Sequence, residues 1–194
     1  ENNKILIFSL IVFLIFIVIS YSFYQHNKEK KKILLSERYI EAKIFLENKK
    51  KVEALQVLKD IVFSNNSTYS TLSFFLIMNE NLINDSDEVS KLFDYLLENN
   101  KFDNEIKNLL LYKKALYKSN YVNESKLLEE IKPLLNNDKT VWKAHALLLL
   151  GDFYFSKEEL IKAKDFYTQV LLIKNLQRDL YKHANSKLAL IADE

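Results

Sequence analysis

Apolar and polar residues follow two rhythms along this chain, and the change between them falls at Gln25. From Ile5 to Tyr24 no residue is charged, and the only small polar members are Ser9, Ser20 and Ser22. Twenty residues at about 1.5 Å each span about 30 Å, the thickness of a bilayer core, so the run predicts a single transmembrane helix. It is longer than the apolar part of a cleavable signal peptide and lacks a small-residue cleavage site. Tyr21 and Tyr24 fall where an interfacial aromatic belt is expected, and the serines can bond the backbone one turn back. Residues 25–32, QHNKEKKK, then predict a polar hinge, so that residues 1–27 form an anchor and hinge and residues 28–194 a helical domain.

Beyond the hinge, apolar residues recur at helical spacing in short blocks. Helices are predicted over 33–47, 51–63, 67–82, 89–98, 105–119, 121–135 and 176–191, with the strongest pair inside 145–170, HALLLLGDFYFSKEELIKAKDFYTQV. Asp85 with Glu88, and Ser156 with Glu159, have the spacing of capping boxes. Pro133 removes a backbone donor, so its helix is expected to kink or end near Lys132.

The pattern inside 145–170 repeats. Leu147, Leu150, Gly151, Tyr154, Ala163, Tyr167 and Val170 stand at the spacings of the tetratricopeptide repeat, which this stretch resembles. Gly151 and Ala163 let two helices approach closely, while Tyr154 and Tyr167 fill the wedge between them. Ala42, Phe45, Ala54, Leu58 and Ile61 match Gly151, Tyr154, Ala163, Tyr167 and Val170 at a separation of 109, three periods of about 36. Four hairpins therefore fit, the third with Ser125 in its small position. A helical hairpin cannot bury both faces alone, so the stack predicts a last helix, residues 176–191, as a cap.

Composition narrows the classes. One glycine and one proline in 194 residues leave no material for Gly-rich phosphate loops or dinucleotide folds, and an all-α chain remains. Cysteine is absent, which removes disulfides, thiolate catalysis and Cys-ligated zinc. The 28 basic and 26 acidic residues are interspersed, giving a net charge of +2 and no nucleic-acid footprint. His26, His145 and His183 have no second ligand at i+3 or i+4, and Glu129, Glu130 and Asp152 read as solvated face residues, so no metal, cofactor or small-molecule substrate is expected. There is no serine elbow, P-loop or HExxH, and the chain reads as no enzyme.

A stack of hairpins presents a concave face lined by the first helix of each pair. The matched positions place Tyr39, Lys43, Lys107, Lys114, Tyr117, His145, Leu148, Asp152 and Phe155 on it, a mixture of aromatic and basic side chains suited to extended peptide segments. Inter-repeat packing is the alternative for each of them.

The whole layout, an N-terminal single-pass helix, a basic hinge, four degenerate repeats and a terminal helix, resembles the bacterial ancillary subunit of the SecYEG translocon, the YfgM-type family. That resemblance implies an inner-membrane protein whose repeat domain lies in the periplasm, with translocon subunits, periplasmic chaperones and emerging client chains as partners and membrane lipid around the run from Ile5 to Tyr24. Counted by the positive-inside rule, Lys28, Lys30, Lys31 and Lys32 instead favour a cytoplasm-facing receptor. Glu1 stands where a Met would open a complete chain, so upstream residues with further basic charge are expected. A third reading is a structural accessory subunit docked through its transmembrane helix with the groove idle.

Overall fold

The computed structural model describes residues 2–137 and 140–193, with side chains from residue 13 onward. Among the described residues there are nine α-helices and no strand: α1 (Asn2–Glu47), α2 (Lys51–Val62), α3 (Ser67–Asn79), α4 (Ser86–Asn99), α5 (Asn104–Lys118), α6 (Glu124–Leu135), α7 (Trp142–Phe155), α8 (Leu160–Leu171) and α9 (Arg178–Ala192). They divide into two compact units, Glu1–Leu92 and Phe93–Glu194, and the division falls inside α4.

The expected hinge does not exist. α1 runs unbroken for 46 residues through QHNKEKKK. That segment holds neither Gly nor Pro, and Lys, Glu and Gln are good helix formers, so charge alone gives the backbone no reason to stop. The run expected to cross a membrane falls partly on residues 5–12, whose side chains lie outside the described residues. Among the described residues no helix is long and apolar enough to cross a membrane. Every residue from Phe13 to Tyr24 is exposed, on all sides of α1.

In the first unit α2 packs antiparallel on α1, and α3 packs on both. Ala42, Ala54, Leu58 and Ile61 are fully buried there, as the 109-residue match requires. In the second unit α5 pairs with α6 and α7 with α8, while α7 also rests on α5 and α9 on both α7 and α8. Within each unit a helix thus meets its partner and the next helix but one, a packing compatible with helical repeats. The core of the second unit gathers on α7, which buries nine of its fourteen residues and is screened on most sides.

Five of the turns carry a non-glycine residue in the left-handed region, Lys49, Asn65, Asn81, Glu158 and Asn175. Left-handed residues end helices because the following N–H groups can then return to the last free carbonyls. Lys50 N–H reaches Phe45 O at 2.8 Å, and Glu159 N–H reaches Tyr154 O at 3.0 Å. Three of the five are Asn, the side chain that tolerates this conformation best after glycine. The lone glycine is used elsewhere, in the middle of α7.

The two expected capping boxes fare differently. Asp85 Oδ1 accepts from the N–H groups of Asp87 and Glu88, so it caps α4, but the Glu88 side chain turns to Lys59 rather than back to the cap. Ser156 closes α7 instead of opening α8: its hydroxyl donates to Phe153 O at 2.8 Å, and α8 starts after Glu159 with no side-chain cap. α6 accommodates Pro133 in its last turn and ends at Leu135, two residues beyond it.

Candidate protein-binding surface

Gly151 sets the geometry of the second unit. A Cβ built on it would lie 2.5 Å from Cε1 and 2.7 Å from Cδ1 of Tyr167, so α8 approaches α7 more closely than any side chain at 151 permits. Tyr167 is fully buried and its hydroxyl donates to Asp152 Oδ1 at 2.8 Å. The same carboxylate oxygen lies 3.0 Å from His183 Nε2, so Asp152 ties α7 to α8 and to α9 at one point. Burial and then the bond to Asp152 push the Tyr167 phenol far above its usual range.

A second junction joins α6 to this pair. Tyr154 donates its hydroxyl to Glu124 Oε1 at 2.7 Å, its ring stacks on Phe166 with 3° between planes, and Lys162 pairs with the same carboxylate at 3.1 Å. Burial, reinforced by the Glu124 carboxylate, raises the Tyr154 phenol to about 12. The bond from Tyr154, and then that from Lys162, hold Glu124 below the ordinary carboxylate range.

The aligned register of α5 and α6 differs from the expected one by two residues. A separation of 36 matches buried Ala115 to Gly151 and buried Leu127 to Ala163, whereas Ser125, expected in the small position, is exposed. Two residues are about 200° on a helix, which exchanges one face for the other. Lys114 therefore points into the protein, 8% exposed, with Nζ 2.6 Å from Asp94 Oδ1 and 2.8 Å from Glu130 Oε2. Lys118 joins Glu130 at 2.5 Å. Burial pushes the Glu130 carboxyl up, but the two lysine bonds outweigh it and hold the group below its usual range. For Lys114 burial is likewise outweighed by Asp94 and Glu130, and the ammonium is held above its usual value. Tyr117 packs between Phe93 and Tyr121, at 6.3 and 5.5 Å.

Of the nine residues placed on a concave face, several are thus engaged within the protein. Lys114 and Tyr117 face inward, and Leu148 is buried. Asp152 is occupied by Tyr167 and His183, and the Phe155 ring lies 4.3 Å from Lys187 Nζ of α9. In the first unit Tyr39 is half-buried against Tyr69 of α3, at 6.4 Å, and burial raises its phenol, while Lys43 is exposed. Lys107 is exposed at the start of α5.

His145 leads to residues the sequence reading missed. With the register shifted, Tyr112 of α5 takes the place matching Leu148, and its ring lies 5.5 Å from both Trp142 and His145, which are themselves 4.9 Å apart. Asn108 fixes this cluster: its Nδ2 donates to Thr140 Oγ1 at 3.1 Å, and that oxygen accepts the Trp142 N–H at 3.3 Å, pinning the start of α7 to α5. All three residues are half-buried. Burial and then the Asp152 charge raise the Tyr112 phenol. Leu116, the next residue along this face of α5, is 37% exposed. The signal that could have located the cluster was the alignment of Ala115 with Gly151 and Leu127 with Ala163, rather than of Ser125 with Ala163.

Set against protein-family models, curated proteins and solved structures, the chain has no match.

Proposed function

We propose that the chain is a non-catalytic adaptor, tethered to a membrane by α1, that offers a helical-repeat surface of the tetratricopeptide type to extended segments of other proteins. One observation carries the tether. α1 is a single helix whose described apolar part, Phe13 to Tyr24, is uncovered on every side, and a helix apolar all round needs either a protein interior or a bilayer around it. The uncharged run upstream to Ile5 extends that part to the length a bilayer core requires.

The Tyr112, Trp142 and His145 cluster is the recognition surface under this reading. Rigid aromatic rings give large contact area at small cost in lost side-chain freedom, which is why they dominate the energetics of protein interfaces. A tether adds effective concentration that reaches the millimolar range for short connections, so weak and quickly reversible binding suffices. Translocon subunits, periplasmic folding factors and emerging chains, implied by the family resemblance, are the candidate partners. The same resemblance places the repeat domain in the periplasm of a bacterial inner membrane. A reporter fused after Glu194 that works only in the cytoplasm would move the domain to the other side.

The test compares two changes in the full chain, extracted in mild detergent. Tyr112→Ala with His145→Ala should reduce crosslinking to client segments while co-purification of membrane partners persists. If these substitutions change nothing, and replacing residues 5–24 with an unrelated transmembrane helix abolishes every association, the protein is an accessory subunit docked through its helix.

A further inference from the structure

The turn between α2 and α3 returns to α1 just past the end of its apolar run. Between them lies an open cleft of about 750 Å³ in the first unit. One stripe of α1 forms its wall, and the residues of that stripe change character along the helix. Ser20, Phe23 and Tyr24 come first, then Asn27, Lys28 and Lys31, and Leu34 and Leu35 close the far end. Across from them stand Ser64, Asn65 and Asn66. No carboxylate lines the cleft among the described residues. Among the described residues of this unit, the ion pairs Arg38 with Asp60 and Lys59 with Glu88 use other side chains.

The charged groups that line the cleft are both cations. Lys28 and Lys31 are donors only. Asn66 uses one lone pair of its Oδ1 on the Tyr69 N–H at 3.1 Å and carries two donors on Nδ2. Ser64 donates its hydroxyl to Ile61 O at 2.7 Å and keeps the acceptor capacity of its oxygen. A cleft with an aromatic end and a basic, amide-lined end fits an amphipathic anion.

We propose that this cleft binds the headgroup of an anionic phospholipid, the phosphate between Lys28 and Lys31 and the upper acyl chain beside Phe23 and Tyr24. The proposal rests on α1 crossing the membrane, because depth selects the occupant. Lys28 lies four residues, about 6 Å, beyond Tyr24, and Lys31 about 10 Å beyond it. The headgroup layer occupies about 5–7 Å on each side of the hydrocarbon core. A span ending at Tyr24 therefore sets Lys28 at phosphate level with Lys31 just outside. The unbroken α1 holds both lysines on one face and keeps the α2–α3 turn opposite them, which a flexible hinge would not.

The lysine run itself supplies the control. Lys30 and Lys32 carry the same charge on the same helix but do not line the cleft. The full chain is purified in a neutral detergent and titrated with short-chain phosphatidylglycerol, with short-chain phosphatidylcholine and with inorganic phosphate. Binding is read by native mass spectrometry and by the shift in unfolding temperature. Wild type should bind the phosphatidylglycerol selectively, K28Q/K31Q should lose about tenfold or more in affinity, and K30Q/K32Q should stay close to wild type. Equal losses in the two double variants would reduce the effect to general surface charge and overturn the proposal. Inorganic phosphate saturating the site as well as the lipid would overturn the lipid assignment. Alkaline carbonate extraction of the cell membranes judges the tether separately: release of the chain contradicts the membrane reading, whatever the cleft binds.

Discussion

Gly151→Ala is a one-carbon change whose effect follows from the α7–α8 contact. The new Cβ would meet Tyr167 Cε1 at 2.5 Å, and carbon atoms settle at about 3.5–4.0 Å, so ring or helix must retreat by about 1 Å. The ring cannot swing freely, because it is fully buried and its hydroxyl is held by Asp152 at 2.8 Å. Overpacking of this kind costs about 1–3 kcal/mol. A retreat that breaks the bond to the carboxylate adds about 1.5–3 kcal/mol, and replacing Gly by Ala inside a helix returns about 1 kcal/mol. The net expectation is a loss of about 2–4 kcal/mol, or a melting point lower by about 5 °C or more for a domain of this size. Trp142 is the only tryptophan and lies on α7, so its fluorescence during thermal or urea unfolding reports on the second unit. The double variant with Tyr167→Leu isolates the cause, since without the ring Gly151→Ala should be neutral or stabilising by up to about 1 kcal/mol. A Gly151→Ala protein that melts at the wild-type temperature or above would refute the close-approach argument.

Other substitutions probe the charge network, the α9 junction and α1. The folded-state pKa of Glu130 lies below its unfolded value, so the unfolded chain binds the extra proton; its contribution is present above about pH 4.3 and fades as pH falls through the folded value. Glu130→Gln should therefore destabilise the protein at pH 7 and flatten the acid limb of the stability curve, and an unchanged limb would count against the network. Asp152→Ala removes the tie from α7 to Tyr167 and His183, so hydrogen exchange in α9 should accelerate while that in α2 stays as it was. With no native cysteine to compete, Ser22→Cys and Glu41→Cys accept spin labels cleanly. An unbroken α1 sets their backbones about 28 Å apart in a narrow distribution, and a broad or shorter one would restore the hinge.

The α7–α8 pair was legible because its tightest contact requires a residue type that is rare in this chain. Only Gly151 and Ala163 leave room there, so chemistry fixes the register. In α5 and α6 the matching positions hold Ala115 and Leu127, both buried and both residue types that fit many registers, and the exposed Ser125 looked like the small position. Because a two-residue slip turns a helix by about 200°, that single misreading exchanged Lys114 for Tyr112 on the outward face. The hinge failed for a different reason: hydropathy marks where a helix changes surroundings, while breaking a helix takes Gly, Pro or a competing cap. Ser156 and Glu159 had the spacing of a capping box, but the left-handed turn at Glu158 returns the N–H of Glu159 to α7 and leaves Ser156 as the C-cap of that helix.

The adaptor reading stands most directly on what touches the aromatic cluster in the cell. A photo-crosslinking amino acid is placed in the full chain at His145, and in a second protein at Ile161 of α8, which is 89% exposed. Irradiated membranes should yield protein adducts from position 145 that are reduced by Tyr112→Ala, with few from position 161. Adducts of equal yield at both positions, or none at 145, would contradict the claim that this surface receives other proteins.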